Sequence, residues 1–184
     1  MEEFPSSVGQ QEPFTFDDNH GVNIVLSHNK QAAERTRGLN HAILMSRNPM
    51  KMNVLYEIRV DTWDKSNSRI IRNLGMGVVT QPPDTLILPY WSGALFPATV
   101  VCGSSVKLSG STELKPSSVG SALTSLRTGS SVGVAVDRNH CLQLYVDGQN
   151  KGVIAFDLPH NCYALYDIPG YVKPVAALPP KTLF

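Results

Sequence analysis

Short apolar runs separated by turn-forming residues make up most of the chain, and where their spacing can be read it is two rather than 3.6. Tyr56, Ile58 and Val60 alternate with Glu57 and Arg59. That stretch predicts a half-buried antiparallel strand with Glu57 and Arg59 on a wet outer face. Val132–Val136, the turn residues Asp137–His140, Cys141–Val146, Asp147-Gly148 and Gly152–Phe156 predict three successive antiparallel strands. Asp-Gly between apolar runs favours a tight hairpin, because glycine adopts positive φ without steric cost. Nearer the N-terminus, Phe14–Phe16 and Val22–Leu26 are parted by Asp18–Gly21 and followed by the turn residues Ser27–Lys30.

Gly75–Thr80 is β-rich but holds two glycines, which mark a bulge or a close approach to the backbone. Gln81-Pro82-Pro83-Asp84 ends that ladder. Short helical excursions are expected at Gln31–Arg37, which lacks Gly and Pro and carries Ala32 and Ala33, and at Leu123 to Leu126. From Pro82 to Arg127, prolines and Gly-Ser clusters surround the β-branched run Ala98–Val101, so short strands with longer excursions are expected. The pattern as a whole predicts an all-β protein, a two-sheet antiparallel β-sandwich. Residues 1–13 read as a flexible lead-in, 14–178 as the single domain and 179–184 as a tail.

Composition narrows the function. Only 17% of the 184 residues are charged, below the roughly 25% usual for soluble domains, while 14 glycines and 13 prolines argue against a helical bundle. A net charge of +1 lacks the basic footprint of a nucleic-acid binder. No apolar run approaches the roughly 18 residues of a membrane span, and the opening residues are acidic where a secretory leader is basic. Cys102, Cys141 and Cys162 are odd in number and lack Cys-x-x-Cys spacing, so neither a disulfide nor a metal knuckle is expected and a cytoplasmic address fits.

Candidate chemistry is sparse. Gly129-Ser130-Ser131-Val132-Gly133 matches the spacing of a nucleophile elbow, with Asp157 and His160 following, but a valine strand comes after the serine where a helix should. His140-Cys141 and His160-x-Cys162 supply too few ligands for a tetrahedral metal site. No phosphate-binding glycine loop is present, so no cofactor is expected. Trp63, beside Asp64, and Trp91 lie in turn-like surroundings, where exposed aromatics suit recognition. Arg35, Arg37 and Arg47 could form a basic patch for an acidic peptide.

Several ordered motifs carry a resemblance: Phe14-x-Phe16 with His20-Gly21-x-Asn23-Ile24; Ala33-x-Arg35; Ser46-Arg47-x-Pro49-Met50; Tyr56–Val60; Gly75–Pro83; Leu142–Gly148 with Gly152-Val153; and Tyr163–Ile168 before Gly170. Together they resemble a Neuralized homology repeat, across nearly everything from Phe14 to Ala177. The run from Leu88 to Ser111 looks more like the multi-repeat members that lack a RING than like the ligases. Pro169 stands where the family has an aromatic, and no RING-type Cys/His array is present. The resemblance implies a concanavalin-like, SPRY-like jelly roll that binds protein or peptide partners without catalysis. It also implies an adaptor role linked to ubiquitin-ligase or centrosomal regulation, in the cytoplasm or at the centriole. A carbohydrate- or lipid-binding sandwich is the alternative. The candidate partner-binding residues are Arg47, Trp63, Asp64, Trp91 and Tyr171.

Overall fold

The computed structural model describes residues 11–63, 74–109, 111, 115–170 and 172–183. In chain order the strands are β1 (Ile24–Ser27), β2 (Ala32–Arg35), β3 (Ile43–Met45), β4 (Val54–Val60), β5 (Gly75–Val79), β6 (Ala98–Cys102) and β7 (Ser105–Lys107). There follow β8 (Lys115–Pro116), β9 (Ser131–Val136), β10 (Leu142–Val146), β11 (Gln149–Ala155), β12 (Tyr163–Asp167), β13 (Val175–Ala177) and β14 (Lys181–Thr182). One sheet runs β1-β2-β13-β4-β9-β10-β11, with β14 also on β4, and the other runs β3-β12-β5-β6-β7-β8. Every strand pair is antiparallel, and the expected two-sheet sandwich is the fold.

The alternating residues meet between the sheets. Ile58, Val60, Val132, Val134, Leu142 and Leu144 face Leu44, Met76, Val78, Ala164 and Tyr166 in one apolar core. The Tyr166 hydroxyl crosses this core to donate to the Tyr56 carbonyl at 2.8 Å, which satisfies a polar group that burial would otherwise penalise. The hairpin turn between β10 and β11 has both Asp147 and Gly148 at positive φ, as the Asp-Gly pair predicts.

A second apolar cluster lies on the outer face of the β3–β8 sheet. Ile43, Met45, Val79, Ala98, Val100 and Leu165 are roofed by Leu86, Leu88 and Leu95. The proline-rich segment 82–97 is therefore a cover for the sheet, with short 3-10 turns at Pro83–Thr85 and Ser92–Ala94. Its prolines stop it from joining the ladder it covers.

Three expectations change. Gln31–Arg37 is not helical: β2 occupies its centre and buries Ala33 and Arg35 at period two against β1 and β13. Alanine's helix preference is worth only about 0.5 kcal/mol per residue, and sheet pairing overrides it. Val119–Ser125 does form a 3-10 helix, so the turn at Leu123 is present. Glu57 is the second change, because it is 1% exposed although Arg59 beside it is open to solvent. Its carboxylate accepts the Ser131 hydroxyl at 3.0 Å and the Lys181 ammonium at 3.1 Å. Third, the segment read as a tail carries β14, which pairs with Val54 and Leu55 and sets Leu183 against Leu55, Ala135 and Tyr145.

Candidate functional site

Strand register decides which loops share an end. Ile43 pairs with Asp167 and Met45 with Leu165, so residues before β3 and after β12 lie together. Main-chain bonds continue the grouping: His41 N–H to the Tyr90 carbonyl, Ile168 to Ala42, Lys173 to Thr62 and Gly129 to Val60. Both tryptophans belong to this end. The opposite end is closed by Met50 N–H to Cys162, Asn53 to Val136 and Leu158 to His140, and Arg47 belongs there.

At the tryptophan end, Trp63 forms an isolated bridge with Val172, donates its main-chain N–H to Thr128 Oγ1 at 2.9 Å and packs half-buried on the main core. Trp91 is half-buried and folds over its own loop, where a Cβ on Gly93 would lie 2.1 Å from the indole. Any side chain at this position would therefore have to displace the indole. Tyr90 beside it is 47% exposed, and Leu39 in the β2–β3 connection is 49% exposed. Leu39 approaches Gly170, and the ring of His41 meets Tyr90 edge-on at 6.5 Å. Sequence reading passed over Leu39 and Tyr90. An apolar residue directly after Gly38, and a tyrosine between Pro89 and Trp91, were the available signals.

The expected basic patch does not assemble. Arg35 is 1% exposed, with Nη2 donating to the Asn40 carbonyl at 2.8 Å. Arg37 is exposed and donates from Nε to Asn23 Oδ1 at 3.1 Å. Arg47 sits at the far end, 3.9 Å from Asp18, in a cleft of about 640 Å³ with Asp17, Asp84 and Tyr163. The Lys30 ammonium, 2.7 Å from Asp18, holds that carboxyl below its usual range through a direct hydrogen bond. Of the five candidates, Trp63 and Trp91 are brought to one end, Arg47 is not, and Asp64 and Tyr171 lie outside the described residues.

The nucleophile-elbow spacing has no constellation behind it. Ser131 opens β9 at the tryptophan end and spends its hydroxyl proton on Glu57. His160 lies at the opposite end, where its ring meets His140 edge-on at 4.5 Å. The His140 Nδ1 faces the Leu158 carbonyl at 2.8 Å. Among the described residues, no three His, Cys, Asp or Glu side chains converge in a way that could hold a metal ion, and no helix is long and apolar enough to cross a membrane.

Burial pushes the Cys162 thiol up to about 11, and its Sγ lies 3.2 Å from the Pro159 carbonyl. Since the thiolate is the nucleophile, Cys162 will be alkylated by iodoacetamide at pH 8 at least tenfold more slowly than Cys141, which is half-exposed. Peptide mass spectrometry after timed quenching reads the order. Equal rates at both sites would mean that Cys162 is accessible.

The family model described as Neuralized matches residues 16–179. The crystal structure of the Drosophila melanogaster neuralized-nhr1 domain is similar at TM-score 0.67 and 18% identity, over 91% of this chain and 98% of that one. The solution structure of the NEUZ (NHR) domain in Neuralized from the same fly gives TM-score 0.67 and 18% identity, over 95% and 96%. The SPRY domain of human HERC1 is similar at TM-score 0.60 and 10% identity, over 89% and 97%. These likenesses show the sandwich fold. The family match spans the motif set from Phe16 through the last pairing of β13 with β4, and by that match the chain belongs to the Neuralized family.

Proposed function

We propose that this domain is a non-catalytic protein-interaction module whose partner docks on the tryptophan end. One observation carries the reading: connections from both sheets bring half-buried Trp63 and Trp91 to the same end as exposed Leu39 and Tyr90. Aromatic anchors on a rigid scaffold give contact area with little loss of side-chain entropy, which is the chemistry of interface hot spots. Asp64 and Tyr171 remain candidates through their sequence adjacency to Trp63 and Val172. Membership in the Neuralized family supports a role as the recognition part of a cytoplasmic adaptor linked to ubiquitin-ligase or centrosomal regulation.

Selection of peptides from a displayed random 12-mer library, followed by affinity measurement on variants, tests the surface. Trp91→Ala is expected to weaken the selected peptides about 30-fold, the ~2 kcal/mol of a typical hot spot. Arg47→Ala, at the other end, is expected to leave affinity within about twofold. The opposite pattern would move the site to the Arg47 end. Reproducible binding on a glycan or lipid array, with no peptide enriched, would replace a protein partner with the sandwich's other ligand class.

A further inference from the structure

We propose that Asp167 is a positioning residue for recognition, setting Tyr90 and Trp91 in their displayed arrangement without itself forming the docking surface. The inference rests on the tryptophan end being the partner surface.

Asp167 is the last residue of β12, opposite Gly75 on β5 and Ile43 on β3, so its backbone is fixed from both sides by the ladder. Its Oδ2 accepts the Ser92 N–H at 2.7 Å, one residue after Trp91. Ser92 is fully buried, and bonds to a carboxylate are the stronger kind. Room for this contact comes from Gly75, where a Cβ would fall 2.8 Å from Ser92 Oγ and 3.2 Å from the Asp167 Cβ. The same loop is tied at Tyr90, whose carbonyl accepts the His41 N–H at 2.8 Å, and at Leu95, whose carbonyl accepts the buried Lys107 ammonium at 2.7 Å. Among these side-chain ties, Asp167 acts one residue after the aromatic pair, whereas Lys107 acts four residues after it and Asn19 holds the Pro83 and Leu86 carbonyls before it.

A loop held before its partner arrives does not have to be ordered during binding. A surface built on a segment that cannot join the ladder depends on its apolar packing and on such ties to keep its course. The carboxylate at the end of a rigid strand therefore transmits the sheet's geometry to the indole.

The test uses the Trp63→Phe background, in which Trp91 is the sole tryptophan. Acrylamide quenching of its emission is compared for the parent, Asp167→Ala, Asp167→Asn and Ser92→Pro. Asparagine keeps an acceptor oxygen and should stay close to the parent. Alanine removes the acceptor, and proline at the first residue of the 3-10 turn, after an extended residue, removes the donor and puts its Cδ where the N–H met the carboxylate, so the tie is broken from the other side. Both should raise the quenching constant about twofold, and weaken 12-mer peptides selected on the unmodified protein at least tenfold, while Asp167→Asn stays within about threefold. Ser92→Pro keeps the question answerable if Asp167→Ala does not fold.

Unchanged quenching in Asp167→Ala and Ser92→Pro, even with a lowered thermal midpoint, would overturn the inference by leaving Asp167 only a structural role. Peptides that lose affinity with Trp91→Ala but not with Asp167→Ala or Ser92→Pro would overturn it while leaving the proposed function intact. Peptides indifferent to Trp91 and Asp167 alike would overturn both.

Discussion

Alanine at position 77 is expected to lower the midpoint of thermal unfolding by about 6–12 °C, the shift that ~3 kcal/mol produces in a domain of this size. Gly77 lies at the centre of β5, with β12 on one side and β6 on the other. An added Cβ would fall 1.9 Å from the Thr99 carbonyl oxygen and 2.9 Å from the Val100 Cα, both of them backbone. No rotamer change can relieve that contact. The methyl group fits only if β6 moves away from β5, which disturbs the Val100 and Ala98 layer beneath Leu95 as well as the ladder. Gly148→Ala provides the comparison: nothing lies within 4 Å of its Cβ position, so only the positive φ opposes it, at about 1 kcal/mol. A Gly77→Ala shift no larger than that of Gly148→Ala would mean the two strands separate without cost.

The second large effect is expected from removing both partners of Glu57. With Ser131→Ala and Lys181→Ala combined, a carboxylate that is 1% exposed loses its hydroxyl donor and its cation. Stripping the partner from a buried charge costs about 3–5 kcal/mol. Here the lysine side chain is 59% exposed, so the pair is partly screened and the double variant should cost about 2–3 kcal/mol. Urea unfolding measures it, and adding Glu57→Gln to the double variant should recover at least half of the loss, since the charge is then gone. Failure of that addition to recover anything would show that the penalty lies in packing. Gly133 belongs to the same arrangement: a Cβ there would meet the Glu57 Cγ at 2.5 Å, so the glycine on β9 makes the space that the glutamate fills.

Glu57 also shows where a strand pattern misleads. Alternation correctly separates Ile58 and Val60 from Glu57 and Arg59, because side chains project to opposite faces along any strand. It cannot say what covers the outer face. Here a strand from residues 181–182, more than 120 positions along the chain, places Lys181 over the carboxylate. The segment 82–97 is a similar case: its prolines announce that it leaves the ladder, but its task of roofing Met45, Val100 and Leu165 depends on leucines whose spacing alone is uninformative.

The candidate surface was partly legible. Trp63 and Trp91 stand out by residue type in turn-like surroundings, and the structure brings them to one end. Arg47 met the same criterion and lies at the other, because the short strand β3 separates it from His41. Leu39 and Tyr90 went unnoticed, since an exposed apolar side chain differs from a buried one only in what packs on it.

By itself the sequence determined the all-β class, the hairpin from β9 to β11 and the family motif set, which follow from local period and turn preferences. Tertiary structure alone decided that Gln31–Arg37 holds a strand, that Glu57 and Arg35 are buried, and which loops share an end. The physical reason is the same for each. These outcomes depend on register and cover between strands far apart in the chain, and pairing across a sheet outweighs the preferences that any single stretch carries.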